Sequence, residues 1–86
     1  MKQNSILTEA DSLVYGDRSA VYGDPVENHE RIAAMWSAYL GYPVSARQVA
    51  LCMALVKISR DSCVPKRDNL VDGAAYMHIG DCCGTE

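Results

Sequence analysis

Acidic side chains gather at two predicted helix starts. Glu27 and Glu30 are three residues apart, and Asp68, Asn69 and Asp72 form a similar group later in the chain. Residues three or four positions apart share one face of a helix. A hard cation such as Mg²⁺ usually binds one or two carboxylates together with substrate phosphates. Two acidic groups on facing helices therefore predict a magnesium site with Glu27, Glu30 and Asp72 as its ligands.

Basic and aromatic side chains favour a phosphate-bearing ligand for the same site. Lys57 and Arg60 are spaced so that both can hold a phosphate group. Tyr22 offers a flat ring beside a predicted helix start, where a nucleotide base could stack. The candidate ligand-binding residues are Tyr22, Asp24, Asn28, Arg31, Lys57, Arg60 and Asp68. The predicted ligand is a nucleotide or another small phosphate compound, and no residue is assigned as catalytic.

Helix capping explains part of this pattern without any ligand. Asp24 can cap a helix, Pro25 suits the first helical position and Glu27 the third. Acids in a first turn and cations in a last turn both complement the helix dipole. His29 lies on an apolar stripe, where a packed, hydrogen-bonded imidazole is the simpler interpretation. The sequence leaves the ligand site and the capping interpretation both open.

Apolar residues at helical spacing predict an all-α fold, a small bundle of about four helices. The predicted helices are 6–15, 25–40, 46–60 and 69–80. Short connections favour antiparallel neighbours. We expect one domain over residues 1–86, with flexible ends at 1–4 and 81–86. The expected caps are Ser5, Asp24, Ser45 and either Asp68 or Asn69 at the starts, and Gly16, Gly41 and Gly80 at the ends.

The same pattern predicts which faces are buried. The third helix is apolar or small at nearly every position from Val49 to Val56, so we expect it to be central and covered on most sides. Cys52 falls in this run and is expected in the core. Trp36 is the expected core residue of the second helix. The expected buried side of the last helix comprises Leu70, Val71, Ala74, Met77 and His78.

Size and charge exclude several classes of protein. A chain of 86 residues buries roughly 60–65% of its unfolded surface, so a monomer would be marginal and we expect a homo-oligomer. A net charge of −3 argues against nucleic acid as a partner, because nucleic-acid binding depends on many contacts from Lys and Arg to phosphate. No apolar run is long enough for a membrane span. We expect a cytoplasmic protein.

The four cysteines are expected to be reduced thiols. Cys63, His78, Cys82 and Cys83 could in principle bind zinc. Their spacing matches no standard zinc framework. Zinc is therefore the minor alternative.

Three segments of the chain resemble a family of small phage and prophage domains of unknown function. They are Tyr22-Gly23-Asp24-Pro25, Trp36-Ser37-Ala38-Tyr39-Leu40-Gly41 and Asp68-Asn69 followed by Val71-Asp72. The resemblance covers roughly residues 10–80. It implies a phage-related protein and no particular activity.

A more distant resemblance is to the MazG-like all-α nucleoside triphosphate pyrophosphohydrolases. Glu27-x-x-Glu30 is similar to the first acidic motif of that family. Asn69-x-x-Asp72 matches the second only in part, because Asn stands where the family has Glu and Asp68 is the substitute. The two motifs are also farther apart than is usual in that family. The resemblance implies Mg²⁺ bound around a nucleotide triphosphate.

These observations support three hypotheses. The first is a phage-related helical protein that binds a nucleotide, with Mg²⁺-dependent hydrolysis of a phosphoanhydride as its enzymatic form. The second is a non-catalytic phage accessory that inhibits a host defence factor, either by direct binding or by sequestering a signalling nucleotide. The third is a structural homo-oligomer.

Overall fold

The computed structural model describes residues 5–16 and 23–84, and helices account for most of them. The helices are α1 (Ile6–Tyr15), α2 (Pro25–Leu40), α3 (Ala46–Cys63) and α4 (Arg67–Cys82). These described residues include no strand. The predicted all-α class and the number of helices are therefore confirmed. None of the described helices is long and apolar enough to cross a membrane.

Local capping begins the first three helices as predicted. The Ser5 hydroxyl accepts a hydrogen bond from the Thr8 amide at 3.0 Å, and the Asp24 carboxylate accepts one from the Glu27 amide at 3.1 Å. Ser45 and Gln48 form a reciprocal capping box at the start of α3. These side chains satisfy amide groups that have no partner within the helix. The predicted starts at 6, 25 and 46 are thus confirmed.

The connection between α3 and α4 is shorter than predicted. α3 continues through Cys63, and α4 begins immediately after Lys66. The prediction that Asp68 or Asn69 caps α4 is wrong, because Lys66 is the N-cap and its side chain makes no capping hydrogen bond. The Asp61 carboxylate accepts hydrogen bonds from the Lys66 amide at 3.0 Å and from Asn69 Nδ2 at 3.4 Å. A side chain of α3 thereby organises the start of α4.

Gly80 does not end α4, contrary to the prediction. The helix continues to Cys82, so the first part of the expected flexible tail is helical. Gly80 is buried, and a Cβ atom built on it would lie 3.5 Å from Leu51 and 3.6 Å from Ala50. A glycine in a helix interior is acceptable where a second helix comes this close. Gly80 therefore marks the close approach of α3 and α4.

The helices are not all antiparallel to their neighbours. α3 runs antiparallel to α4, since Arg47 near its start contacts Gly80 and Lys57 near its end contacts Asp72. α1 runs parallel to α4, because Glu9 forms an ion pair with Arg67 at the start of α4. Tyr15 at the end of α1 contacts residues near the end of α4. The expectation of antiparallel packing therefore holds only in part.

The buried face of α4 differs from the predicted one. A continuous stripe at four-residue spacing is buried, and it comprises Val71, Ala75 and Ile79. Leu70, Met77 and His78 are exposed, although they were expected in the core. One residue along a helix turns the face by about 100°. Small residues on the buried stripe let the neighbouring helices approach closely, and α1 supplies Ala10 and Val14 to the same cluster.

α3 is buried on one side only. Val49, Ala50 and Ala54 are buried. Cys52, which was expected in the core, is exposed, and Leu55 is 62% exposed. The prediction that α3 is covered on most sides is therefore wrong, because α1 packs on α4 and leaves the outer face of α3 open. Trp36 on α2 is only half-buried.

Candidate functional site

Lys57 and Asp72 form the one ion pair that the fold assembles from the predicted site residues within its described part. Lys57 Nζ lies 3.2 Å from an Asp72 carboxylate oxygen across the contact between α3 and α4. Only 16% of the lysine side chain and 22% of the aspartate side chain are exposed. Gly73 lies directly beside them, where a Cβ atom would be 3.8 Å from Lys57 Cβ. The pair is therefore well shielded from water on two packed helices.

The other predicted ligand-binding residues in the described part of the chain form no ion pair with Lys57 or Asp72. Asp24 is engaged as the cap of α2. Asn28 is half-buried on α2. Tyr22, the predicted stacking residue, falls outside the described residues. The exposed predicted residues are Glu27, Glu30, Arg31, Arg60 and Asp68.

Several charged side chains influence the thiol at the end of α4. Burial is the main cause that raises the pKa of the Cys83 thiol; the charge of the Cys82 thiolate and then those of Glu30 and Asp24 raise it further, whereas Arg47 lowers it. Asp72 precedes Cys83 by about 16 Å along the helix axis, at 1.5 Å per residue. The ion pair of Lys57 and Asp72 therefore lies about three turns before the end of α4.

The described residues contain no group of three or more His, Cys, Asp or Glu side chains arranged to hold a metal ion. Glu27, Glu30 and Asp72 thus do not form a ready cluster, and Asp72 already pairs with Lys57. Their role as magnesium ligands stays a prediction. The four residues of the minor zinc alternative do not come together either. Cys63 ends α3 beside the start of α4, whereas Cys82 lies at the opposite end of α4.

His29 is a buried polar side chain on α2. It is 5% exposed, and its Nδ1 lies 2.8 Å from the Pro25 carbonyl oxygen. Nδ1 must carry a proton to donate this bond, so in the neutral ring Nε2 is an acceptor. Nε2 is buried and has no hydrogen-bond partner within the described part of the chain. The ring meets Tyr76 edge-on at 6.0 Å, one turn along α4 from Asp72.

A second cluster joins α1 to the end of α4. The Tyr15 hydroxyl lies 2.7 Å from His78 Nε2 and 3.8 Å from Cys82 Sγ. Cys82 Sγ lies 3.7 Å from the same His78 nitrogen. The hydrogen bond with Cys82 is the main cause that raises the pKa of Tyr15, followed by desolvation. The four-residue spacing of His78 and Cys82 was visible in the sequence, but the contribution of Tyr15 was not.

Comparison with known proteins places this chain in a family. The family described as "Domain of unknown function (DUF6378)" matches residues 5–84. The chain belongs to the DUF6378 family. All four described helices lie within the matched residues, and so do the Lys57–Asp72 pair and the cluster of Tyr15, His78 and Cys82. The ion pair and the tyrosine–histidine–cysteine cluster are therefore features of this DUF6378 domain.

The DUF6378 domain is similar to two phage proteins. It is 49% identical over 77 residues to the Gene 55 protein of Mycobacterium phage L5. The aligned region covers 87% of this chain and 49% of the relative. It is 42% identical over 73 residues to the Gene 55 protein of Mycobacterium phage D29. Here the aligned region covers 84% of this chain and 48% of the relative. The chain thus spans about half the length of these curated relatives. No solved structure matches it significantly.

These relatives confirm the predicted resemblance to a phage domain of unknown function. The more distant resemblance to MazG-like pyrophosphohydrolases stays a prediction. The names of the relatives state no activity, so the function of this DUF6378 domain has to be argued from its own residues.

Proposed function

We propose that this phage-related domain binds a nucleotide or another small phosphate compound beside the contact of α3 and α4. The observation that carries the proposal is the shielded ion pair of Lys57 and Asp72. Removing two charges from water is unfavourable unless close partners compensate. A lysine held in this way is a ready partner for a phosphate oxygen, and Arg60 lies one turn farther along α3 at the exposed surface.

His29 gives the proposal its second support. A buried polar atom without a partner destabilises a fold by about 1–3 kcal/mol, and native structures contain few of them. Nε2 of His29 is such an atom. The His29 ring contacts Tyr76, which lies one helical turn after Asp72 on α4. A hydroxyl group of a ligand sugar would satisfy this nitrogen. Lys57, Asp72, Tyr76 and His29 together are called the polar seam below.

The remaining predicted residues enter the proposal as contacts of the same ligand. Tyr22 would stack on a base, and Arg60 would bind phosphate together with Lys57. Polar contacts to the sugar and the phosphates would come from the remaining predicted residues, Asp24, Asn28, Arg31 and Asp68.

Magnesium fits the described residues poorly as a resident ion. The acids assigned to it, Glu27, Glu30 and Asp72, do not gather, and Asp72 is engaged with Lys57. Mg²⁺ often binds through substrate phosphates with only one or two carboxylates. We therefore propose that the domain binds the nucleotide together with Mg²⁺ that is already coordinated by the nucleotide phosphates. We assign no step of hydrolysis to these residues.

Calorimetric titration tests the proposal directly. The wild-type domain and the variants Lys57→Gln and Asp72→Asn would be titrated with ATP, dATP, GTP and a cyclic dinucleotide, with and without Mg²⁺. Lys66→Gln is the matched control, because Lys66 is exposed and its described hydrogen bonds involve only its backbone. We expect Lys57→Gln to weaken binding at least about tenfold, the equivalent of 1.4 kcal/mol, and Lys66→Gln to leave it unchanged.

Two results would overturn the proposal. One is an absence of binding heat for every nucleotide; the other is binding that Lys57→Gln and Lys66→Gln weaken equally. Chromatography of the nucleotides after incubation with Mg²⁺ would show whether binding is accompanied by hydrolysis.

We also propose that the domain forms a homo-oligomer through the outer face of α3. This face carries an uncharged stripe at helix–helix spacing, called the α3 stripe: Cys52, Leu55, Val56, Ser59 and Cys63. All five residues are exposed in the single chain. An exposed, largely apolar stripe along one face of a helix is typical of a surface that another helix covers. A second copy of the same chain is the occupant that a small domain with a limited core favours.

Light scattering coupled to gel filtration tests this surface. Leu55→Glu places a charge in the α3 stripe, and Leu7→Glu is the control at an exposed apolar position of α1. We expect the wild type and Leu7→Glu to share an oligomeric mass that Leu55→Glu reduces to that of a monomer. A wild type that is already monomeric would refute self-association. Co-purification of a stoichiometric host protein that Leu55→Glu releases would instead favour the host-inhibitor hypothesis.

A further inference from the structure

Three donor atoms from two helices meet at the end of the bundle. Tyr15 O, His78 Nε2 and Cys82 Sγ form a triangle with sides of 2.7, 3.7 and 3.8 Å. All three residues are exposed, so the triangle is open to solvent. The cluster lies on a different face of α4 from Asp72, and the polar seam does not use it.

We propose that Tyr15, His78 and Cys82 form a binding site for a soft or borderline transition-metal ion, of the class of Zn²⁺ or Co²⁺. Thiolate and imidazole are the ligands that these ions prefer. His78 and Cys82 are four residues apart on α4, so one helical turn presents both donors on the same face. The phenol oxygen of Tyr15 is the third donor, and solvent supplies the fourth position.

The distances agree with such a site. For donors about 2.0–2.3 Å from a tetrahedral ion, neighbouring donor atoms lie about 3.3–3.8 Å apart. The separations of Cys82 Sγ from His78 Nε2 and from the Tyr15 hydroxyl, 3.7 and 3.8 Å, fall in this range. The side of 2.7 Å is shorter because Tyr15 and His78 share a hydrogen bond. Metal entry would break that bond and move the exposed phenol outward by roughly 1 Å or less.

The fold holds the ligands in place before any metal arrives. The parallel packing of α1 on α4 brings Tyr15 to His78, and their rings meet edge-on at 5.5 Å. Cys83 next to the site is half-buried against the core cluster and is not among the donors. Cys52 and Cys63 belong to the α3 stripe, on a different helix from His78 and Cys82, and are exposed in the single chain. They serve as internal controls, because neither has a histidine and a phenol beside its thiol in the described contacts.

Cobalt titration of the reduced protein tests the site, with Zn²⁺ as a competitor. Bound thiolate gives Co²⁺ an intense near-ultraviolet charge-transfer band. We expect one Co²⁺ per chain, with this band lost in Cys82→Ser and retained in Cys52→Ser and Cys63→Ser. His78→Ala and Tyr15→Phe should each weaken the apparent affinity by about 10–100-fold. Circular dichroism would confirm that these exposed substitutions leave the helices intact.

Affinity should also rise with pH, because the thiol and phenol must lose protons to bind. The proposal is overturned if Co²⁺ and Zn²⁺ do not bind at micromolar concentrations. It is equally overturned if Cys82→Ser and His78→Ala bind as the wild type does, since the metal would then lie elsewhere. Nucleotide binding is tested with variants of Lys57 and Asp72, which are not metal ligands. A failure of the metal proposal therefore leaves the nucleotide proposal unaffected, and the reverse also holds.

Discussion

Arg47 on α3 donates a hydrogen bond from Nη1 to the carbonyl oxygen of Gly80 on α4 at 3.3 Å. The same nitrogen also donates to the carbonyl oxygen of Gly84 at 3.2 Å. The last carbonyl groups of a helix have no partner within it. A positive charge at this end also complements the helix dipole. The start of α3 therefore supplies the end of α4 with both a hydrogen-bond donor and a charge.

Replacing Arg47 by Met should destabilise the domain. Met keeps an unbranched stem but cannot donate, so we expect the free energy of unfolding to fall by about 1.5–3 kcal/mol. Arg47→Lys should recover part of the loss. Urea denaturation monitored by circular dichroism measures both. Arg31→Met, at an exposed position of α2, should change stability by less than about 0.5 kcal/mol. Equal losses at both positions would contradict the assigned role of Arg47.

Replacing Gly73 or Gly41 by alanine should change the free energy of unfolding in opposite directions. Gly73 lies inside α4, and an added Cβ would meet only Lys57 Cβ at 3.8 Å, which is an ordinary contact. Gly73→Ala should therefore raise the free energy of unfolding by about 0.5–1 kcal/mol. Gly41 ends α2 with φ of 69°, so Gly41→Ala should lower it by about 1–2 kcal/mol. Melting temperatures of the two variants that shift in the same direction would refute the prediction.

Asp24 should matter to stability whether or not it contacts a ligand. Its carboxylate accepts the Glu27 amide hydrogen bond that begins α2. Asp24→Ala should lower the free energy of unfolding by about 0.5–2 kcal/mol, whereas Asp24→Asn retains a capping oxygen and should stay close to the wild type. Denaturation without ligand measures this effect. If Asp24→Asn proves as unstable as Asp24→Ala, the charge and not the cap is the important feature.

Cys83 should make stability decrease at alkaline pH. Burial, followed by the nearby charges, raises the pKa of its thiol in the folded state. In the unfolded chain the thiol titrates near its ordinary pKa of about 8.5. Between the unfolded pKa and the raised folded pKa the folded state binds more protons, so stability falls as pH rises through that range and levels off above it. Denaturation under reducing conditions at neutral and alkaline pH should show this slope.

Cys83→Ala is the variant that isolates this effect. Its absolute stability will differ from that of the wild type because the side chain packs against the core cluster, so the slope with pH is the quantity to compare. The slope should decrease in Cys83→Ala and persist in Cys52→Ser, whose residue is exposed. An unchanged slope in Cys83→Ala would assign the pH dependence to another group.

The helix starts could be predicted because capping is a local interaction. Ser5, Asp24 and Ser45 each accept a hydrogen bond from an amide three residues ahead, so the sequence contains both partners within one turn. The start of α4 could not be predicted in this way. There Asp61 binds the Lys66 amide from the preceding helix, and this interaction depends on how α3 and α4 pack.

The candidate site divides along the same line. The sequence by itself determined that helices form, where most of them begin, and which polar residues are available. Only the tertiary structure decided that Lys57 meets Asp72 while Glu27 and Glu30 stay exposed, because the direction of packing selects which faces meet. It also brought Tyr15 to His78, 63 residues away in the chain. Contacts over such a separation depend on complementary surfaces of whole helices, which spacing within one helix does not specify.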